Sequence, residues 1–116
     1  MKRKLFSDDV YCVDVLALSG TFEEAKKELE KRECGFVMTD RRTEGFCTKT
    51  PKGGLVVWLA KPKDFYVLMH ETLHLVRMVF TDNGVITDLA AGDEHIAYYH
   101  AYWFKRLWRF YGNIKR

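Results

Sequence analysis

Residues 64–84 read DFYVLMHETLHLVRMVFTDNG, and their periodicity decides how the rest of the chain must be arranged. Pro62-Lys63-Asp64 opens a helix with Asp64 as N-cap, and Asn83-Gly84 closes it. At about 100° per residue, Phe65, Leu68, Met69, Leu73, Leu75, Val76, Val79 and Phe80 share one broad arc. His70 and His74 fall together on the opposite side, with Glu71 beside them. Two imidazoles one turn apart can both reach a single zinc ion at about 2.0–2.1 Å. Glu71 is then placed to hold the zinc-bound water. The plainer alternative is two surface histidines on an ordinary amphipathic helix.

A catalytic zinc needs a third protein ligand and an open position. Glu94 is the candidate, near the start of a final helix that begins around Gly92-Asp93-Glu94 and runs to Tyr111, where Gly112 stops it. Ala97 and Ala101 lie on the same side, and their small size lets the two helices approach. An acid that merely favours the helix dipole is the alternative for Glu94. His100, His95, Asp93 and Asp88 are rival ligands. His100 comes first among them, with a hydrogen-bonded core histidine or a supporting role as its other readings.

Working back toward the start, Val10 to Leu18 reads as a buried strand, ended by Ser19-Gly20. Thr21-Phe22-Glu23-Glu24 carries a capping-box pattern, so 21–33 is expected as a surface helix with Cys34-Gly35 as its stop. Phe36 to Thr39 and Phe46 to Thr50 are strand-like and suggest a hairpin across the polar stretch 40–45, with Arg41-Arg42 at its tip. Pro51-Lys52-Gly53-Gly54 is a turn, 55–60 is a further strand, and Val85 to Leu89 is a short connection. The order predicts a single α+β domain over 1–116, with one small mixed sheet and helices packed on a face. In the final helix, Ile96, Tyr99, Trp103, Leu107 and Phe110 form the expected core stripe, widened by Phe104 and Trp108.

Composition narrows the partners. An apolar share of 47% across 116 residues suffices for one core without staples. A net charge of +3 is too mild to make nucleic acid or membrane the main partner. The basic, aromatic stretch Lys105 to Arg116 keeps a nucleic-acid surface open as a lesser reading, against a solvated face of snorkelling side chains. Cys12, Cys34 and Cys47 form no CxxC pair and are odd in number, which fits a reducing cytoplasm better than a disulfide framework. No membrane-length apolar run and no signal-peptide pattern occurs in the sequence.

The run His70-Glu71-Thr72-Leu73-His74, followed by Glu94-His95-Ile96-Ala97, resembles the gluzincin group of zinc metallopeptidases. The minimal single-domain versions and small phage-type zincin-like proteins look closest. The resemblance implies a zincin-like layout of surface helix, HExxH helix and C-terminal glutamate helix. It implies that His70, His74 and Glu94 bind zinc and that Glu71 is the general base. It also implies that the strand at 55–60 is a sheet edge that takes an extended peptide by β-addition. Some of that group carry Asp four residues after the glutamate. Here the position is Tyr98, which is expected either to orient a zinc histidine or to polarise the substrate carbonyl. Tyr99, His95 and Arg77 are further options for the oxyanion donor.

The expected activity is therefore zinc-dependent hydrolysis of a peptide or protein substrate. A domain of the same layout that binds metal or a partner without turnover is the alternative. An intact Glu71 favours the enzyme, since a silent domain has no need of a base there.

Overall fold

The computed structural model describes residues 1–34, 40–85 and 92–115, with backbone alone for Gly92 and Asp93. Its elements in chain order are β1 (Lys2–Asp8), β2 (Val13–Ser19), α1 (Phe22–Lys31), β3 (Gly45–Lys49), β4 (Leu55–Leu59), α2 (Phe65–Asp82) and α3 (Gly92–Gly112). The strands form one mixed sheet in the order β1-β2-β4-β3. β1 lies antiparallel to β2, β2 parallel to β4, and β3 antiparallel to β4. This is the expected α+β arrangement.

β2 and β4 are central strands covered on both faces, so their sequences are nearly continuous apolar runs. Val15, Ala17, Leu55, Val57 and Leu59 pack with α2 and α3 in the larger core. Leu16, Leu18, Val56 and Trp58 turn to the other face and pack with Ala25 and Leu29 of α1. The expectation of helices on one face is corrected accordingly: the alternation of large apolar residues along β2 and β4 leaves two faces to cover, and α1 covers the second.

β1 is absent from the sequence expectation. Only Phe6 and Asp8 of its seven residues are buried, because it is an edge strand that leaves Lys2, Arg3, Lys4, Leu5 and Ser7 exposed. The 55–60 segment is corrected in the opposite sense. β4 is wholly buried between β2 and β3, and β3 is the antiparallel edge among the described residues. The first half of the proposed hairpin, 36–39, and most of the connection 85–89 lie outside the described residues.

Helix ends follow local chemistry. The Thr21 hydroxyl accepts from Glu24 N–H at 3.1 Å, and the Glu24 carboxylate accepts from Thr21 N–H at 2.9 Å, completing the capping box. At the other end Glu33 takes the left-handed conformation, φ 56°, one residue past the cap Arg32. The N–H groups of Glu33 and Cys34 donate to Glu30 O and Leu29 O, so the helix is closed before Gly35 is reached. Asp64 caps α2 by accepting from Val67 N–H at 3.2 Å. Asn83 and Gly84, the latter at φ 67°, close it.

α3 binds the two ends of the chain together. Tyr111, fully buried, donates its hydroxyl proton to the carbonyls of Leu18 and Val57, at 2.9 and 3.1 Å, on the two central strands. Tyr99 donates to the buried Asp8 carboxylate at the end of β1. Arg106 donates to Ser7 O at 3.1 Å and lies over the rings of Phe6, Tyr102 and Trp103.

Candidate metal centre

α2 crosses the sheet with Leu68, Thr72, Leu75, Val76 and Val79 inward. One flank leans on the edge strand β3 and the other on α3. At β3 the fit is close: a Cβ on Gly45 would stand 2.7 Å from Val67 Cγ1 and 3.0 Å from Trp58 O. Lys49, at the far end of β3, is ion-paired with Asp82 at the far end of α2. On the other flank Phe65 meets Phe104 and Trp108, with ring centroids at 5.1 and 5.7 Å. These two supports fix the rotation of α2 about its axis.

That rotation turns His70 and His74 to solvent. Their Nε2 atoms stand 3.0 Å apart, with the rings at 78°. Two zinc–nitrogen bonds of about 2.0–2.1 Å at a tetrahedral angle would separate the nitrogens by about 3.3 Å. Without a cation, the same spacing suits an N–H of one ring donating to the bare nitrogen of the other.

The same rotation carries Glu71 inward. It is 7% exposed, on the β3 flank and not on the open face beside the imidazoles. Burial pushes its carboxyl above the usual carboxylate range, against a smaller opposite pull from His70 and His74. Behind it, burial also pushes the Cys47 thiol well up, and the nearby Glu71 charge adds to that. Glu71 and His70 share a cavity of about 460 Å³ with Arg42, Glu44, Gly45, Tyr66 and Val67. Its wall on the β3 side escaped sequence reasoning. Gly45 between Glu44 and Phe46 is the one local sign of a close approach there.

The structure does not bring the other expected residues to the pair. Glu94 is exposed on α3, and among the described residues no three His, Cys, Asp or Glu side chains gather as a metal-holding set. His100 comes nearest by sequence logic, but its Nε2 hydrogen bonds to Met69 O at 3.2 Å and its ring stacks on Phe104. His100 is therefore hydrogen-bonded, but it is half-buried and not a core histidine. Tyr98 is 75% exposed and lines a different cavity, with Tyr99 and His95, that shares no residue with the one at His70. Arg77 is exposed on α2. Asp88 and the Asp93 side chain lie outside the described residues. No described helix is long and apolar enough to cross a membrane.

No family model, no curated protein and no solved structure matches this chain.

Proposed function

We propose that this protein is a zinc-dependent hydrolase of the HExxH type, acting on a peptide or protein substrate. The observation that carries the reading is the 3.0 Å approach of two solvent-facing imidazole nitrogens, with a carboxylate of raised pKa on the same helical turn at the wall of a cavity. Paired neutral imidazoles suit zinc chemically. His70 and His74 would hold the ion, and Glu94 is the carboxylate this reading assigns to complete the set. When bound, zinc supplies a Lewis acid that acidifies water and polarises a carbonyl. Glu71 does the proton work: its buried carboxylate accepts a proton from the attacking water and returns it to the leaving amine. Burial favours that proton-holding form, because a charged carboxylate on this flank of α2 is poorly solvated.

Gathering two donors instead of three among the described residues favours a second reading, a metal- or partner-binding domain without turnover. The hydrolase and the metal-binding form of the second reading both need the metal. Untagged protein handled without chelator is expected to hold near-stoichiometric zinc, and His70→Ala and His74→Ala to lose it. Glu94→Ala and His100→Ala then report which residue supplies the third donor. Protein that neither carries zinc nor takes it up when offered would overturn the hydrolase and leave only a partner-binding domain. Zinc-loaded protein that cleaves no unfolded polypeptide would leave the second.

A further inference from the structure

A second cavity, of about 310 Å³, lies where the β1–β2 turn meets the first turns of α3. Tyr11, Tyr98, Tyr99 and Tyr102 line it, together with Asp8 and His95. Four phenol rings line this small space, with Asp8 as a negative wall and the Arg106 guanidinium outside the lining, on Tyr102. Among the described residues, Asp8 is the only Asp, Glu, Lys or Arg in the lining. It is 3% exposed, and its carboxylate is held in place by Val10 N–H at 3.0 Å and by the Tyr99 hydroxyl. Tyr99 forms the floor, with Tyr11 edge-on at 5.0 Å and Tyr102 stacked at 5.9 Å. Tyr98 stands open to solvent at the rim.

The volume sits at the small end of ligand sites. A fixed carboxylate disfavours an anion. A single carboxylate, already accepting two hydrogen bonds, is a poor cage for a hard metal ion, which wants several oxygen ligands. Ring faces carry negative potential and attract a weakly hydrated cation, most strongly where water is excluded. Tyr102 already carries a cation: the Arg106 guanidinium lies 5.1 Å from its centroid and donates to its hydroxyl at 2.8 Å, while Tyr99 stacks on it at 5.9 Å, which leaves Tyr11 and Tyr98 as the rings open to a ligand.

We propose that this tyrosine-lined cavity over Asp8 binds an alkylated ammonium cation, the charged headgroup entering between Tyr11 and Tyr98. The site is independent of the histidine pair on α2 and stands whether or not the protein binds zinc.

The test is titration of the full chain with choline, followed by the ring resonances of its tyrosines. The neutral carbon analogue of choline, with carbon in place of the charged nitrogen, is the control. Saturable binding of choline is expected, with the neutral analogue weaker by about ten-fold or more. Tyr98→Leu keeps an apolar rim but removes the ring, and is expected to weaken choline about five-fold, whereas Tyr98→Phe retains it. A peptide carrying trimethyl-lysine distinguishes the source of the cation: tighter binding than choline indicates a modified protein partner, and weaker binding a small molecule. No saturable response to choline or to the peptide, equal affinity for the neutral analogue, or an unchanged affinity in Tyr98→Leu overturns the proposal. Tyr98 is exposed, so neither variant threatens folding.

Discussion

His70, Glu71 and His74 leave one helical turn in two directions, and the difference sets their chemistry. The imidazoles stay in water, where a metal ion can reach them, while Glu71 is drawn under the edge strand. Glu71→Gln preserves size and hydrogen bonding but cannot carry the proton. It is expected to keep zinc at wild-type stoichiometry while hydrolysis falls by about a hundred-fold to ten-thousand-fold. Metal analysis and a peptide-cleavage assay on the same sample check this, and retained turnover would remove Glu71 from the mechanism. The histidine pair was legible in the sequence because i,i+4 spacing on a helix is a local property. Glu71 was not, because three apolar residues in the arc, Phe65, Met69 and Leu73, are left partly exposed. The true inward direction is therefore shifted toward Glu71 and Thr72.

At the scale of elements, α1 and β3 give separable tests. Thr21→Ala removes half of the capping box and is expected to cost about 1 kcal/mol in denaturant unfolding. The Glu24 carboxylate is held at about 2, against an ordinary 4.5, first by the Thr21 backbone N–H and then by the ammonium of Met1. Its pKa is lowered by folding, so its stabilisation is present above about 4.5 and is lost as the pH falls toward 2. The melting-temperature gap between wild type and Glu24→Gln should therefore be steady near neutrality and close through that acid window. A gap independent of pH would show that the charge contributes nothing. In β3, Gly45→Ala forces a methyl into Val67 and the Trp58 carbonyl, and should destabilise by about 1–3 kcal/mol while narrowing the cavity at Glu71. A thermal melt and the cleavage assay together measure both effects. The caps of α1 and α2 were readable because they depend on residues a few positions apart. β1 was not, since an edge strand shows its lysines to solvent and lacks the apolar alternation that marks a half-buried strand.

For the whole molecule, the two-sided sheet and the α3 brace make stability a property of all layers at once, and zinc should act on it as a linked ligand. At about a hundred times its dissociation constant, zinc is expected to add about 2.7 kcal/mol, on the order of 10 °C in melting temperature for a chain of this size. His70→Ala should abolish the rise, and differential scanning calorimetry with and without chelator measures it. The placement of Glu94 was not legible in the sequence at this scale. The azimuth of α3 is set by Tyr99, Trp103, Leu107 and Tyr111 against the sheet, and that setting sends Glu94 outward. No local signal around Glu94 reports it.

The fastening of α3 also dictates when the molecule can become itself. Its bonds to Asp8, Ser7 and Leu18 span 91, 99 and 93 positions of chain. On the ribosome, β1 and β2 therefore emerge long before the helix that covers Val15 and Val57 exists. A nascent chain lacking α3 should remain open to protease and attractive to chaperones. Resistance should then arrive abruptly with the last helical turns, since closures of such length come late and slowly.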